Sequence, residues 1–498
     1  MARIAVIGAG LGAMAAAARL AVAGHRPVVF EGASTYGGAV GRFERDGFAF
    51  DTGPGLLLLP AVYRDLFVKT GKEPLEDLVG LTQVEPAVRH VFADGTTADL
   101  PNARRAGVAE ALDAAVGAGA GLRWSAFMDR AREAWDRSRR PLLEEPLWPN
   151  WQVLADREPY PAVVRRRLLR KDRTATTLAG IGAHELGGDP RLVALLEQYA
   201  LAYGLDPRTA PASAAVLPYM EQTFGTWAVS GGVRALADAV YARCLRRGVE
   251  FTFDAAVARI AVKDGRAAGV ELADGTFHDA GFVVAGVAPS VLDGLLPGQA
   301  VRGEVPAQAE SAVSSRLTVH LALRGARPEG TPHRTVVHGA DRDAELAWLF
   351  DDGPRPKRPT IAVLRTGEES QVPDAGHEAV TVTVTVPPHA RVGEADVEAV
   401  LAATERAVPG LRERLLWHEI RTPQDITEAT GAAGGAVPAP ALAAARGSLL
   451  HPANGTELPG LFAVGGWSHP GGGLPHAGMS GALVAGLIVE GPEFRGSQ

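Results

Sequence analysis

The chain has 498 residues, 46% of them hydrophobic and 21% charged, with a formal net charge of −7. That length allows two or three domains with an ample core, and the acidic balance excludes a general basic field for nucleic acid. The one cysteine, Cys244, excludes an intrachain disulfide and any cysteine-cluster metal site; it suits a reducing cytoplasm, and no metal is expected.

Residues 3–31, "RIAVIGAGLGAMAAAARLAVAGHRPVVFE", admit three readings. A signal peptide also begins with a positive charge and an apolar run. A membrane span would be interrupted by Arg19, His25 and the glycines. A nucleotide clamp accounts for more of the letters: a buried strand, a tight turn, a helix stopped by Gly24, and a second strand closing on Glu31. In G-x-G-x-x-A, Gly8 makes the turn, Gly10 lets backbone approach a pyrophosphate, and Ala13 packs helix on strand. The uncapped helix start then faces the phosphates. Glu31, about twenty residues on, suits a ribose diol and repels a 2′-phosphate, so FAD or NAD is expected rather than NADP.

Next come two glycine-rich turns, Gly37–Gly38 and Gly53–Pro54–Gly55, read as backbone lying against the cofactor. A hairpin is expected over 88–101 about Asp94–Gly95. Residues 104–220 are mostly helical in period, with proline-rich breaks near 141–161. Trp124, Trp135, Trp148 and Trp151 fall there, as core or as an apolar, membrane-facing lip. "PAVVRRRLLRK" (161–171) reads as a helix face, solvated or docking on anionic lipid through Arg165, Arg166, Arg167, Arg170 and Lys171.

From residue 225 the pattern returns to α/β: a helix over 232–247, a strand "VEFTFDAAV", a hairpin at Asp264–Gly265, a turn at Asp274–Gly275 and a strand "AGFVVAGVAP". Residues 315–325 and 378–386 alternate with period two, which predicts an antiparallel sheet with one exposed face. The Ala/Gly/Pro-rich segment 429–446 reads as a mobile surface loop. A strand over 461–464 leads through Gly465–Gly466 and "WSHPGGGLPHA" to a helix expected from Gly478 to Val489. His469 and His476 flank that loop, and His476 is the catalytic candidate because it directly precedes this helix. Trp467 is a candidate wall of the site.

Taken together, "VIGAGLGAMAAAARLAVAGHRPVVFE", "GGAVGRFERDGFAFDTGPGLLLLP", "YALAYGLDPRTAPASAAVLPYMEQTFGTWAVSGG" and "LPGLFAVGGWSHPGGGLPHAGMSGALVAG" resemble the FAD-dependent phytoene (carotenoid) desaturases, within the amine-oxidase-like flavoproteins. The resemblance implies a Rossmann-like α/β FAD domain, discontinuous in sequence (1–75, 225–290, 455–498). It also implies an α+β substrate domain with a helical subdomain (76–224, 291–454). By resemblance, Gly8, Gly10, Leu11, Gly12 and Ala13 would cradle the pyrophosphate and Glu31 the adenosine ribose. Gly32, Gly37 and Gly38 would pass beside the cofactor, and Gly53, Pro54 and Gly55 would approach the flavin. Val257 would meet the adenine, and Gly465 and Gly466 the ribityl portion. Leu474, Pro475 and Met479 would lie at the pyrimidine edge. Ala39 stands where the family usually places Lys or Arg, and Arg42 is the nearest base.

The implied reaction removes hydride and proton from adjacent carbons of an apolar isoprenoid, with oxygen or a quinone as final acceptor and possible contact with the inner membrane face. Two rivals stand beside it: an oxidase or dehydrogenase of a polar amine or specialised metabolite, and a non-redox carrier of prenylated ligands.

Overall fold

The computed structural model describes residues 1–162, 164–167, 170–173, 175–298, 305, 310 and 313–496, with side chains of 164–167 and 170–173 left aside. Its organising element is a five-stranded parallel sheet. β1 (Arg3–Ile7), β2 (Arg26–Phe30), β3 (Glu250–Thr252), β4 (Phe282–Ala285) and β5 (Leu461–Ala463) lie in the order 3-2-1-4-5. Val6 pairs with Val29 on one side and Val284 on the other, so β1 is central and wholly apolar where it is covered. Residues 3–31 are therefore the middle of the fold, as the clamp reading requires, and not a membrane span.

α1 (Leu11–Val22) forms because four consecutive alanines and two leucines favour helix and carry no polar load inside. Nine of its twelve residues are buried. It packs against α2 (Leu474–Glu490), also apolar through most of its length. α2 begins four residues earlier than the sequence pattern predicts: Gly473 caps it and Pro475 sits in its first turn, where a missing N–H costs nothing. "VEFTFDAAV" is likewise not one strand. Residues 250–252 join the parallel sheet, and a new strand begins at Val257 in the antiparallel set Val257–Lys263, Arg266–Leu272, Phe277–Asp279.

A seven-stranded mixed sheet forms the second body, with Ser315–Arg324 and His377–Val386 paired antiparallel along their whole lengths. Its expected exposed face does not exist. Val380, Val382, Val384 and Val386 pack on the helix Glu394–Thr404. The threonines between them turn toward the interior, facing the helical region and the hairpin Arg42–Arg45/Phe48–Asp51. The two-residue period is right, but both faces are covered.

The helical region carries one large apolar cluster that includes Trp124, Phe127, Trp135, Leu195 and Leu217. Trp148 and Trp151 are half-buried in a smaller cluster with Leu142 and Leu154. Two further expectations are overturned. Residues 164–167 and 170–173 pair as antiparallel strands rather than a helix face, and the side chains named there lie outside the described residues. The segment 429–446 is no mobile loop. After the helix Pro423–Thr430 it runs largely buried, with Ala432, Ala436, Ala441, Leu442 and Ala443 inside. Its small residues permit close backbone packing: Ala441 N–H donates to the Pro470 carbonyl at 2.9 Å, and Gly472 N–H to the Ala439 carbonyl at 2.8 Å.

Candidate cofactor and active site

The site assembles where both long helices begin. At the end of β1, Gly8 adopts φ +88°, a conformation that side chains resist, and its N–H donates to the Phe30 carbonyl at 2.8 Å. Gly10 caps α1 with no side-chain partner, leaving the first-turn amides to face whatever lies ahead. A Cβ on Gly10 would meet nothing within 4 Å, so open space lies over the turn. Gly12 works differently: a Cβ there would come within 2.9 Å of both the Ala477 carbonyl and Gly465 Cα. It lets the second glycine turn and α2 close onto α1. Ala13, 1% exposed, fits beneath Gly286 at the end of β4, and Leu11 is buried beside them.

The remaining segments gather on this centre. Glu31 directly follows β2, and its carboxylate accepts the Ala9 N–H at 2.6 Å and the Ala33 N–H at 2.9 Å, tying the turn to the next loop. Ala255 N–H donates to the Glu31 carbonyl at 2.9 Å, which brings Gly32 and Val257 to the same end. Gly37 N–H bonds the Ala9 carbonyl at 2.9 Å, and Gly38 lies over Gly10. Gly465 pairs with Ser480 on α2, donating its N–H to Oγ at 2.9 Å, and has open space above it as Gly10 does. Gly466 packs on Pro438. Leu474 and Pro475 form the buried start of α2, and the Leu474 carbonyl accepts from Tyr63 at 2.8 Å. Met479 lies one turn along, against the large apolar cluster of the helical region. Gly53, Pro54 and Gly55 stand slightly apart, between Ala39 and Leu364 of the seven-stranded sheet. Arg42 is not brought in: it bonds Glu44 at 2.9 Å and the Ser370 carbonyl, away from the glycine turns.

Three histidines lie buried at the second turn. His469 Nε2–H donates to the Glu145 carbonyl at 2.9 Å, and His451 Nε2–H to the Ala439 carbonyl at 2.7 Å. Burial pushes both down to about 4. His476, 6% exposed in the first turn of α2, is pushed to about 3 by burial and by its two histidine neighbours. It is therefore neutral near pH 7 and suited to hydrogen bonding rather than to holding a charge. Its Nδ1 has no hydrogen-bond partner among the described residues.

Several residues that organise the site escape a motif search. Asn454, 1% exposed, donates to the carbonyls of Ala463 and His469 and reaches Ser468 and Ser480, fastening the second turn to α2. Arg234 reaches from its helix to the carbonyls of Tyr36 and Val40 and to Thr35, clamping the Gly37–Gly38 loop. Asp51 caps that helix by accepting the Val233 N–H at 2.6 Å, though burial raises its carboxyl. One signal was available for Arg234: a cation in the first turn of a helix opposes the dipole and needs other partners.

Open space over two glycine turns, two uncapped helix starts and the buried, unpartnered Nδ1 atoms of His469 and His476 are together what an adenine dinucleotide carrying a flavin needs. The residues fit FAD.

Comparison with known proteins agrees. The profile described as flavin containing amine oxidoreductase matches residues 14–489. The chain is 31% identical to 4,4'-diapolycopene oxygenase of Methylomonas sp, covering 98% of each chain. It is 29% identical to hydroxyneurosporene desaturase of Rhodobacter capsulatus, covering 98% of this chain and 97% of that one. Its fold is similar to that of an oxidoreductase from Methanosarcina mazei, with TM-score 0.66 and 17% identity over 97% of this chain and 99% of the other.

Proposed function

Because the chain belongs to the flavin containing amine oxidoreductases and is an FAD-dependent oxidoreductase, we propose that it desaturates C–C bonds of a long isoprenoid, carotenoid-like substrate. The observation that carries this reading is the large apolar cluster. It runs from the helical region to Leu59, just beyond Gly53–Pro54–Gly55, to Leu442 of the buried segment, and to Met479 on α2. A hydrocarbon offers a protein only shape and apolar area, and this interior supplies both beside the two glycine turns. Of the two relatives, one is named a desaturase, which supports this reaction, and the other an oxygenase.

Bound FAD would supply the two-electron oxidation. In this reading the first turn, Gly8–Ala13, holds the pyrophosphate, Glu31 the ribose, and Gly32, Gly37, Gly38 and Val257 the adenine side. Gly465 and Gly466 pass the ribityl chain, and Gly53–Pro54–Gly55 borders the ring. The start of α2 would direct its positive end at the flavin's pyrimidine edge and favour the negative charge of the reduced form. His476 offers a neutral imidazole there. The buried residues around it keep water out, and the rest is positioning. The cofactor domain comprises 1–75, 225–290 and 455–498, and the substrate domain the intervening parts. Electrons leave to oxygen or a quinone. The protein works in the cytoplasm, with its apolar substrate reached at the inner membrane face; among the described residues no helix is long and apolar enough to cross a membrane.

The test is anaerobic mixing of the holoenzyme with polyene hydrocarbons and with small polar amines while flavin absorbance is followed. Bleaching by the polyenes is expected; bleaching by amines alone would overturn the reading. Purified protein that takes up no flavin would favour the non-redox carrier, which intact Glu31 and the open glycine turns argue against.

A further inference from the structure

The inner face of the seven-stranded sheet is polar where a pure hydrocarbon would need nothing polar. Arg316, Thr318 and His320 alternate along one strand, and Thr385, Thr383 and Thr381 stand directly opposite them on the next. On the other side, Arg421 stands opposite Thr318. Residues directly opposite in an antiparallel pair share a face, so the two arginines bracket Thr318 and Thr383 on the inside of the molecule.

Neither guanidinium has a carboxylate within ion-pair distance among the described residues. Arg316 bonds only the carbonyls of Ser315, at 3.0 Å, and Ala202. Arg421 bonds the Thr52 carbonyl at 2.7 Å. The nearest acid to influence Arg421, Asp425, is engaged with Thr422 at its own helix start, and Glu419 on the same face pairs with Arg45 at 3.4 Å. Other arginines turned inward are matched: Arg334 with Glu221 and Arg365 with Glu378. Arg316 and Arg421 are half-buried, and a partly desolvated cation without a counter-charge is costly unless something arrives to pair with it. Burial pushes Arg316 down to about 10 and neighbouring Tyr203 up to about 12. The hydroxyls of Thr318, Thr383 and Tyr203 make no hydrogen bond among the described residues, so two cations without a counter-charge and three hydroxyls are left for one ligand.

We propose that Arg316 and Arg421, with Thr318, Thr383 and Tyr203, bind a carboxylate at the end of the substrate, so that the enzyme takes polyene or isoprenoid acids. This rests on the desaturase reading and narrows it. Thr52, which Arg421 holds, immediately precedes Gly53–Pro54–Gly55, so the acid end would be anchored beside the segment assigned to the flavin while the chain extends into the apolar cluster. A hydrocarbon would leave both cations unpaired.

The experiment titrates the holoenzyme in detergent micelles with retinoic acid and with its methyl ester, reading perturbation of the flavin spectrum. The wild type should prefer the acid by about tenfold or more, the worth of one charge-assisted hydrogen bond. Arg316→Leu and Arg421→Met should each collapse the acid-to-ester ratio, and Arg316→Lys should keep most of it. Equal binding of acid and ester by the wild type, or an unchanged ratio in both variants, overturns the proposal. A matching loss of bound FAD in both variants also overturns it, by assigning the arginines to the cofactor. Anaerobic bleaching by a polyene hydrocarbon, measured separately, tests the desaturase reading and is independent of these ratios.

Discussion

The leading ends of α1 and α2 face the same centre but are built by different means. The turn before α1 is organised by backbone and by one carboxylate, Glu31, which accepts two amides. The turn before α2 is organised by buried side chains: Asn454, Ser468, Ser480 and the histidines at 451 and 469. The helices meet through glycine, Gly12 closing on Gly465 and Ala477, and Gly481 on the Gly12 carbonyl at what would be 2.6 Å from a Cβ. A phosphate-binding turn needs bare amides, so side chains there are small. The ten residues 464–473 have only two local backbone bonds, from Ser468 N–H to the Gly465 carbonyl and from Gly471 N–H to the Ser468 carbonyl, so this turn needs external anchors, and these must be polar and buried.

Four experiments sharpen the contrast. Gly12→Val should have the largest effect, because its side chain meets backbone of both the second turn and α2. We expect a loss of about 3 kcal/mol or more, read as a fall in the urea midpoint, or no soluble protein. Asn454→Leu should cost about 2–3 kcal/mol by stranding the Ala463 and His469 carbonyls and the two serines, with flavin lost from the purified protein. A change confined to flavin content, with stability untouched, would show that Asn454 acts on the cofactor rather than on the turn.

Acid should destabilise the α2 end. His451, His469 and His476 stay neutral when folded but take up protons near 6.5 when unfolded. The unfolded state therefore binds more protons between about pH 6.5 and 4, and stability falls as pH falls through that window. Each histidine removes about 1.4 kcal/mol per pH unit there. His469→Gln should flatten the decline measured by urea denaturation between pH 7 and pH 5, and an unaltered slope would contradict the assignment. Glu31→Gln should be mildest for folding, costing about 1 kcal/mol. It should weaken FAD binding about tenfold in a fluorescence titration, because a neutral amide accepts ribose hydroxyls less well than a carboxylate.

The first clamp was legible because its requirements are local. Gly8, Gly10, Ala13 and Glu31 occupy places that a turn, a phosphate approach, a close helix contact and a ribose dictate within thirty-one consecutive residues. The tract 429–446 was misread because its composition serves two causes equally. Alanine and glycine mark a solvated loop or a chain pressed against other backbone, and only the neighbours at 470–472 distinguish them. The threonine row at 381–385 misled for a related reason, since alternation reports two unlike faces and not which one meets water. Arg42 is the nearest base only in sequence, because its hairpin points it at Glu44 and Ser370.

From its letters alone this chain declares a dinucleotide clamp and an α/β body, because those depend on contacts a few residues apart. Where α2 begins, what fastens the second glycine turn, and that two arginines lie unpaired on an interior sheet face were decided by tertiary structure. Those features depend on side chains meeting across separations from nine positions, Asn454 with Ala463, to 324, His469 with Glu145, and no sequence period records such a meeting.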